Sequence, residues 1–274
     1  MISFYAAHSK LIDEIGINAL LALSLSISLR AGSLALAQAA FMGIAGYVSA
    51  LGAVRYGWNL AEAALAGALA AGAVAALLAL PIGRLRGVFL AIATIGFGEI
   101  ARIIEINLKV TGGAEGFSGI PNDANTLSIY GTLALVGTVL WLIGRTKFAL
   151  AVAATREDEN AARGVGINVS AVRMTTLVAG ACVAGLAGAL YAHANFFITP
   201  GDFGFPRMEQ ILVACVVGGV TSSIGAALGA LLMTVLPELV RFLHDYREVS
   251  TGAILLGIIL FAPGGIAGLW QRRT

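Results

Sequence analysis

Long apolar stretches separated by short polar segments dominate the sequence. An α-helix rises about 1.5 Å per residue, so about 20 apolar residues cross the hydrocarbon core of a bilayer. Eight blocks meet or approach that length, and they cover residues 15–29, 32–54, 60–83, 88–108, 126–144, 172–194, 209–237 and 250–269. The pattern predicts an all-α fold, a polytopic transmembrane helical bundle with about eight or nine spans.

The block at 209–237 is longer than one span requires, and two polar or glycine-rich interruptions divide it. Gly218 and Gly219 form the first, and Thr221, Ser222 and Ser223 form the second. Glycine and short polar residues weaken a helix interior. The block is therefore either one tilted helix or two short helices that meet at a break.

Basic residues in the loops predict the orientation of the bundle. The densest basic cluster lies in residues 145–173, which we place in the cytoplasm by the positive-inside rule. The loop at 109–125 and the N-terminus then lie outside. With 209–237 as one span, Arg272 and Arg273 would lie outside; with two crossings the tail lies in the cytoplasm. We favour the broken block and the cytoplasmic tail.

The composition agrees with a membrane protein. Hydrophobic residues make up 58% of the 274-residue chain and charged residues 12%, roughly half the charged fraction of a soluble domain. So few charges cannot cover a water-soluble surface of this size. The formal net charge of +2 is too small to indicate a nucleic-acid partner. We expect a single transmembrane domain over residues 1–274.

Small residues recur four positions apart within several apolar blocks. This spacing lets helix backbones approach closely in lipid, so it predicts helix–helix contacts. The residues are Gly67, Ala71 and Ala75, then Ala181, Gly185 and Ala189, then Gly225 and Gly229.

Three charged residues, Glu99, Arg102 and Glu105, lie inside the predicted span at 88–108. Their spacing allows neighbouring side chains to pair along one helix face. Ionisable groups in a span usually face a bundle interior or a pathway, because burial of an unpaired charge in lipid is costly. We keep two interpretations open: a structural ion-pair ladder near the outer interface, or a place on the substrate path.

A glycine-rich segment follows on the outer side. Glycine permits positive φ and tight turns, and proline fixes the exit of such a loop. The segment predicts an ordered extracytoplasmic loop; it lacks the Lys-Ser/Thr ending of a phosphate-binding loop. Its key residues are Thr111, Gly112, Gly113, Gly116, Gly119 and Pro121.

The cytoplasmic segment at 145–168 contains the pattern of a short helix. Thr155 is expected to cap it, with Asp158 three residues later, and Arg163 with Gly164 marks its end. Such a helix is suited to docking a partner protein, although local physics also allows an ordinary solvated loop.

Catalytic, metal and cofactor sites are not predicted. The three histidines and two cysteines show no metal-ligand spacing, and neither a Walker A pattern nor a His-Glu-x-x-His motif is present. His193, beside Tyr191 at the end of a span, is interpreted as an interfacial aromatic-belt residue. We therefore expect no enzyme activity and no bound cofactor.

Several of these segments together resemble the permease family of branched-chain amino-acid ABC importers, of the LivM-like type. The resemblance runs in collinear order over nearly the whole chain. The stretches are AAFMGI (39–44), GFGEIAR (96–102), TGGAEGFSGIP (111–121), REDENAAR (156–163), GLAGALYAH (185–193), FITP (197–200), GG (218–219), SIGA (223–226) and FAPGGI (261–266). One departure is Ala37, where the family usually has glycine.

The resemblance implies a type II-like ABC importer permease in the bacterial inner (plasma) membrane. Its partners would be two cytoplasmic ATPase subunits, a second permease (a paralogue or a copy of itself) and a periplasmic substrate-binding protein that meets residues 111–121 and 195–208. The segment at 145–168 would couple to the ATPase. The coupling residues would be Arg156, Glu157, Asp158, Glu159, Arg163, Gly164 and Gly166.

The implied substrates are leucine, isoleucine and valine. Two alternatives stay open: the same transporter class for another amino acid, urea or an amide, and an ion-coupled secondary transporter. The second usually needs ionisable groups near the membrane midplane, and the spans here carry few.

Overall fold

The fold is a bundle of helices, described here from a computed structural model. The structure describes residues 2–83, 85–220 and 222–239 together with Gly252, Gly265 and Gly268, and side chains from Ser9 onward. In chain order the helices are α1 (Ile2–Arg30), α2 (Gln38–Tyr56), α3 (Leu60–Ile82), α4 (Gly87–Asn107), α5 (Thr126–Ile143), α6 (Lys147–Glu157), α7 (Glu159–Gly164), α8 (Val169–Asn195), α9 (Phe205–Gly218) and α10 (Ser223–Leu239). Two short strands, β1 (Phe117–Ser118) and β2 (Phe197–Ile198), pair with each other.

Helices of membrane-spanning length and apolarity confirm the predicted class. Within the described part of the chain, Ser9–Arg30 of α1 and the whole of α3, α4, α5 and α8 are long and apolar enough to cross a bilayer. Helices α2, α9 and α10 have 19, 14 and 17 residues. The predicted block at 250–269 lies outside the described residues apart from three glycines in that region, so the total of eight or nine spans stays a prediction.

Helix α8 packs against α1, α2 and α3 in the interior of the bundle. Small residues make these contacts possible. A Cβ atom on Gly185 would lie 2.8 Å from the Ala68 Cα atom, and one on Gly67 would lie 2.8 Å from the Ala45 carbonyl oxygen. The predicted packing role of the small residues in α3 and α8 is thus confirmed: larger side chains would force the backbones apart.

Helices α9 and α10 form an antiparallel hairpin. Gly218 approaches Gly225, and Gly229 approaches Ala214 on the other helix, so positions further along α10 meet positions further back along α9. The long block at 209–237 is therefore two short helices, and the predicted break is present between Gly218 and Ser223.

Helix α1 lies alongside this hairpin. The Arg30 Nη1 atom donates to Ser223 Oγ at 3.1 Å near one end, and Asn18 Nδ2 donates to Thr234 Oγ1 at 2.9 Å nearer the other. These two contacts make α1 and α10 antiparallel, because the later residue of α1 meets the earlier residue of α10.

The predicted second span begins later than the sequence suggested. Residues 33–37 are not helical, and α2 begins at Gln38. The Leu36 N–H donates to Thr94 Oγ1 at 2.8 Å, so a side chain of α4 satisfies this non-helical backbone. Ala37 has a φ of −117°, which any residue adopts, and alanine is accommodated there without strain.

The outer faces of α4 and α5 are exposed and apolar. Only 22% of the span window in α4 and 11% of that in α5 is buried within the chain. These faces contact lipid or another subunit, because exposure of so continuous an apolar surface to water is energetically unfavourable. The exposed residues include Val88, Phe89, Ile92, Ile103, Leu127, Leu135 and Leu142.

Candidate functional site

The candidate coupling site, which sequence analysis places on the cytoplasmic side, is built from two helices, α6 and α7, which meet at Asp158. The Asp158 Oδ1 atom accepts hydrogen bonds from the backbone N–H groups of Asn160 at 2.7 Å and Ala161 at 3.1 Å. Asp158 is therefore the N-cap of α7. The prediction that Thr155 caps the helix is wrong. Thr155 is buried inside α6 and its hydroxyl donates to the Ala151 carbonyl, because the helix continues to Glu157 before it breaks.

Three arginine side chains converge on the carboxylate of Glu159. Arg86 Nε lies 3.5 Å and Arg163 Nη2 lies 3.6 Å from Glu159 Oε2, while Arg173 contacts Oε1 directly. These residues come from the connection before α4, from α7 and from α8. The Glu159 cluster, defined as Glu159 with Arg86, Arg163 and Arg173, therefore fastens the short helix α7 to the membrane bundle.

Most of the other predicted coupling residues face outward. The end of α7 at Gly164 follows the prediction, and Gly166 has a φ of 85°, a left-handed conformation that permits the tight return into α8. A charged surface thus projects from one end of the bundle. The exposed residues are Arg156, Glu157, Asp158, Arg163, Gly164 and Gly166.

The glycine-rich segment at the other end is an ordered loop. Its glycines at 112, 113, 116 and 119 have φ values of 79°, 59°, 86° and 82°, which explains why glycine occupies these positions. The Thr111 hydroxyl is buried and donates to the Leu108 carbonyl at 2.8 Å. The loop therefore folds tightly against the end of α4.

This loop is joined to the segment that follows α8. Phe117 pairs with Ile198 and Ser118 pairs with Phe197 in an antiparallel arrangement. The Ile120 N–H also donates to the Phe196 carbonyl at 3.4 Å. The two regions that sequence analysis placed on the outer face are thus one connected surface, which we call the β1–β2 platform.

His193 lies under this platform and is fully buried. Its Nδ1 atom is 3.1 Å from the Pro121 carbonyl oxygen, and its Nε2 atom is 3.1 Å from Ser49 Oγ. The interpretation of His193 as an interfacial belt residue is therefore wrong. The small residues around it in α8 bring α2 so close that the ring is enclosed, which residue spacing along α8 alone does not reveal.

The charged residues of α4 do not form a continuous ladder. Arg102 Nε donates to Glu99 Oε2 at 2.9 Å, and both side chains are partly exposed. Glu105 is only 7% exposed, and neither carboxyl oxygen has a hydrogen-bond partner among the described residues. The Glu105 Oε1 atom lies 2.7 Å from where a Cβ atom on Gly43 would be, so the carboxyl group packs against α2.

Sequence analysis missed the partners of several predicted residues. Arg173 contributed only as part of the basic cluster at 145–173, and neither Arg86 nor Ser49 was singled out. Their basic or polar character inside or beside an apolar block was the available signal.

Among residues 9–83, 85–220 and 222–239, no group of three or more His, Cys, Asp or Glu side chains could hold a metal ion.

Comparison with known proteins identifies the family. The family described as "Branched-chain amino acid transport system / permease component" matches residues 9–263. The high-affinity branched-chain amino acid transport system permease protein LivM of Escherichia coli K12 is 31% identical over 92% of this chain and 66% of its own length, and that of Salmonella typhimurium LT2 gives the same figures. The chain thus spans just under two thirds of these relatives.

A second kind of relative has a different solute in its name. The autoinducer 2 import system permease protein LsrC of Yersinia pseudotuberculosis (strain IP 31758) is 31% identical over 62% of this chain and 53% of its own length. No solved structure matches the chain significantly.

The family match covers nearly all of the chain, and the apolar helices agree with it. The chain is therefore a multi-pass membrane protein that belongs to the permease family of branched-chain amino acid transport systems.

Proposed function

We propose that the chain is the membrane-spanning permease subunit of an ATP-driven importer that carries leucine, isoleucine and valine across the bacterial inner membrane. Membership of the permease family over residues 9–263 is the main support. The names of the LivM relatives favour branched-chain amino acids, whereas the LsrC relative is named for another solute. The substrate is therefore part of the proposal.

The partners in this proposal are two cytoplasmic ATPase subunits, a second permease and a periplasmic binding protein. ATP hydrolysis belongs to the ATPase subunits, and this chain supplies the path and the mechanical connection. The exposed charges of α6 and α7, with Arg156 and Glu157 among them, suit a polar interface on the cytoplasmic side.

The Glu159 cluster provides a mechanical connection between α7 and the helices of the bundle. A displacement of α7 changes the position of Glu159, and the ion pairs transmit it to Arg173 on α8 and to Arg86 before α4. Because α8 packs against α1, α2 and α3, a tilt of α8 changes the spaces between these helices. Alternation between two such arrangements would open the path to each side in turn.

On the outer side, the β1–β2 platform would receive the binding protein. Glu105 lies below it, and Thr111 Oγ1 is 3.3 Å from the Glu105 carbonyl oxygen. We assign the unpartnered carboxyl group of Glu105, with the Glu99–Arg102 pair, to the substrate path rather than to structural support. A buried carboxyl group that has no hydrogen-bond partner among the described residues costs stability, which favours a functional role over a structural one.

Reconstitution of the full transporter in vesicles tests this function. Leucine uptake is expected to require ATP and the ATPase subunits. The Arg156→Glu variant reverses an exposed charge on α6 and is expected to lower uptake strongly and weaken co-purification of the ATPase. Arg55→Glu makes the same change at the end of α2, away from α6, and serves as the matched control.

Three results would argue against the proposal. Uptake driven by a proton or sodium gradient without ATP would indicate a secondary transporter. ATP-driven uptake of another solute but not of leucine would keep the transporter class and reject the substrate. Equal effects of Arg156→Glu and Arg55→Glu would remove α6 from the interface with the ATPase.

A further inference from the structure

A cavity of about 650 Å³ lies between α1, α9 and α10. This volume is within the range of about 300–1,000 Å³ that small-molecule sites occupy. The Cys215 thiol of α9 donates to the Ala22 carbonyl of α1 at 3.3 Å, and Arg207, further back on α9, shares the cavity with Glu14, further back on α1. Helices α1 and α9 therefore run in parallel, and the cavity lies towards the ends that we place outside.

Arg207 contributes a cation to the cavity wall. Its guanidinium carbon lies 5.2 Å from the centre of the Tyr191 ring, which fixes the side chain from one side. Its Nε atom is enclosed by protein and has no hydrogen-bond partner among the described residues. Asp202 is already engaged, because it accepts hydrogen bonds from the Thr199 N–H at 2.7 Å and the Thr199 hydroxyl at 3.0 Å. The described residues place no carboxylate within ion-pair distance of Arg207.

The rest of the lining combines two acids with an apolar surface. Glu14 and Glu209 are both exposed side chains on the cavity wall, one from α1 and one from α9. Gln210 and Asn18 add amide groups between them. The apolar part of the lining includes Ile211, Ala214, Ala230 and Met233.

We propose that this cavity is a receiving site for a free aliphatic amino acid. The α-carboxylate binds the Arg207 guanidinium, whose planar N–H groups match a carboxylate. The α-ammonium faces Glu14 and Glu209, and the aliphatic side chain lies against Ile211 and Met233. The inference rests on the proposed function, since as a permease the chain would meet the amino acid on this side.

The lining of the cavity should bind a zwitterion more tightly than a molecule that carries only one of its two charges. A carboxylic acid without the ammonium group gains the Arg207 contact but brings a negative charge towards two acids. An amine without the carboxylate lacks the contact with the Arg207 guanidinium and brings a positive charge towards it. The site should therefore prefer leucine over 4-methylpentanoate, which lacks the ammonium group, and over isoamylamine, which lacks the carboxylate.

Equilibrium binding to the full chain in lipid nanodiscs tests this assignment. Radiolabelled leucine is displaced by unlabelled leucine, 4-methylpentanoate or isoamylamine. Each analogue is expected to bind about tenfold or more weakly than leucine, the loss typical of one hydrogen bond to a charged group.

Charge-removing variants assign each group of the ligand to its contact. Arg207→Gln is expected to weaken leucine binding by about tenfold or more and to leave isoamylamine binding unchanged or tighter, because the variant removes a positive charge that the amine does not pair with. The double variant Glu14→Gln, Glu209→Gln should weaken leucine and leave 4-methylpentanoate unchanged or tighter. Arg145→Gln is the matched control, since Arg145 also stacks on an aromatic ring, that of Trp141 at 3.7 Å, far from this cavity. Unchanged melting temperatures, with Arg207→Lys as a second variant, exclude a folding defect.

The site is rejected if the wild-type chain does not bind leucine, or if Arg207→Gln weakens leucine and isoamylamine equally. ATP-driven leucine uptake in vesicles is measured in parallel. Uptake with no leucine binding in this cavity rejects the receiving site alone. Zwitterion-selective binding without ATP-driven uptake rejects the transport proposal and retains an amino-acid site.

Discussion

His193 Nε2 and Ser49 Oγ lie 3.1 Å apart in the buried interior and join α8 to α2. The other ring nitrogen lies 3.1 Å from the Pro121 carbonyl oxygen, at the exit of the glycine-rich loop. One imidazole ring therefore holds two helices and the glycine-rich loop together. Because it is fully enclosed, the ring contributes packing as well as hydrogen bonds.

Replacement of this ring should destabilise the fold. His193→Ala removes two hydrogen bonds and leaves a cavity, so we expect the free energy of unfolding to fall by about 2–4 kcal/mol. Denaturant unfolding in detergent micelles, followed by tryptophan fluorescence, measures this loss. The exposed residue Asn122 provides the control, because Asn122→Ala should change the stability by less than about 0.5 kcal/mol. Equal stabilities of the two variants would contradict a structural role for His193.

The contact between α2 and α8 depends on a glycine. A Cβ atom on Gly188 would collide with the Met42 backbone, whereas one on Gly137 of α5 would meet nothing within 4 Å. Gly188→Ala is therefore expected to lower the melting temperature and the yield of folded protein. Gly137→Ala should leave both unchanged or slightly raised, because alanine favours a helix over glycine by about 1 kcal/mol. Comparable melting temperatures for the two variants would mean that α2 and α8 do not cross at Gly188.

The Glu159 cluster predicts different effects for two neighbouring acids. Glu159→Gln leaves Arg173, whose side chain is 11% exposed, without its counter-ion, so we expect a loss of about 1–3 kcal/mol in unfolding free energy. Glu157→Gln changes an exposed side chain on the same surface and should have little effect on stability. Thermal unfolding of both variants at low and high salt distinguishes them. A stability loss for Glu157→Gln that matches that of Glu159→Gln would contradict the cluster's anchoring role.

Membrane orientation is tested by labelling single cysteines in intact cells. In a chain whose Cys182 and Cys215 are replaced by alanine, Asn122→Cys should react with a membrane-impermeant maleimide from outside. Asn160→Cys, exposed on α7, should react only after the membrane is permeabilised. The opposite labelling pattern would invert the proposed topology and place α6 and α7 outside.

Local sequence patterns predicted the position of a helix correctly where the composition of that helix alone defines it. The predicted spans at 60–83 and 88–108 correspond to Leu60–Ile82 and Gly87–Asn107. The glycine-rich loop and the break in the block at 209–237 were also predicted, because glycine has a direct effect on the backbone. In each case the cause lies within a few residues of its effect.

Contacts between distant segments were beyond the reach of these patterns. The helix cap lies at Asp158 and not at Thr155, because α6 extends through the position where sequence analysis expected a helix to begin. The enclosure of His193 depends on α2, and the position of Glu105 against Gly43 depends on how α4 meets α2. The spacing of residues along one helix gives no information about how close another helix lies.

Helix α8 is unbroken from Val169 to Asn195, a length of about 40 Å. It carries Arg173 of the Glu159 cluster near one end and His193 beneath the β1–β2 platform near the other. A continuous helix of this length transmits a displacement from either end to the other. In the proposed transporter, a binding protein on the β1–β2 platform should therefore alter the rate of ATP hydrolysis by the ATPase subunits, and nucleotide bound to those subunits should alter the affinity of the platform for the binding protein.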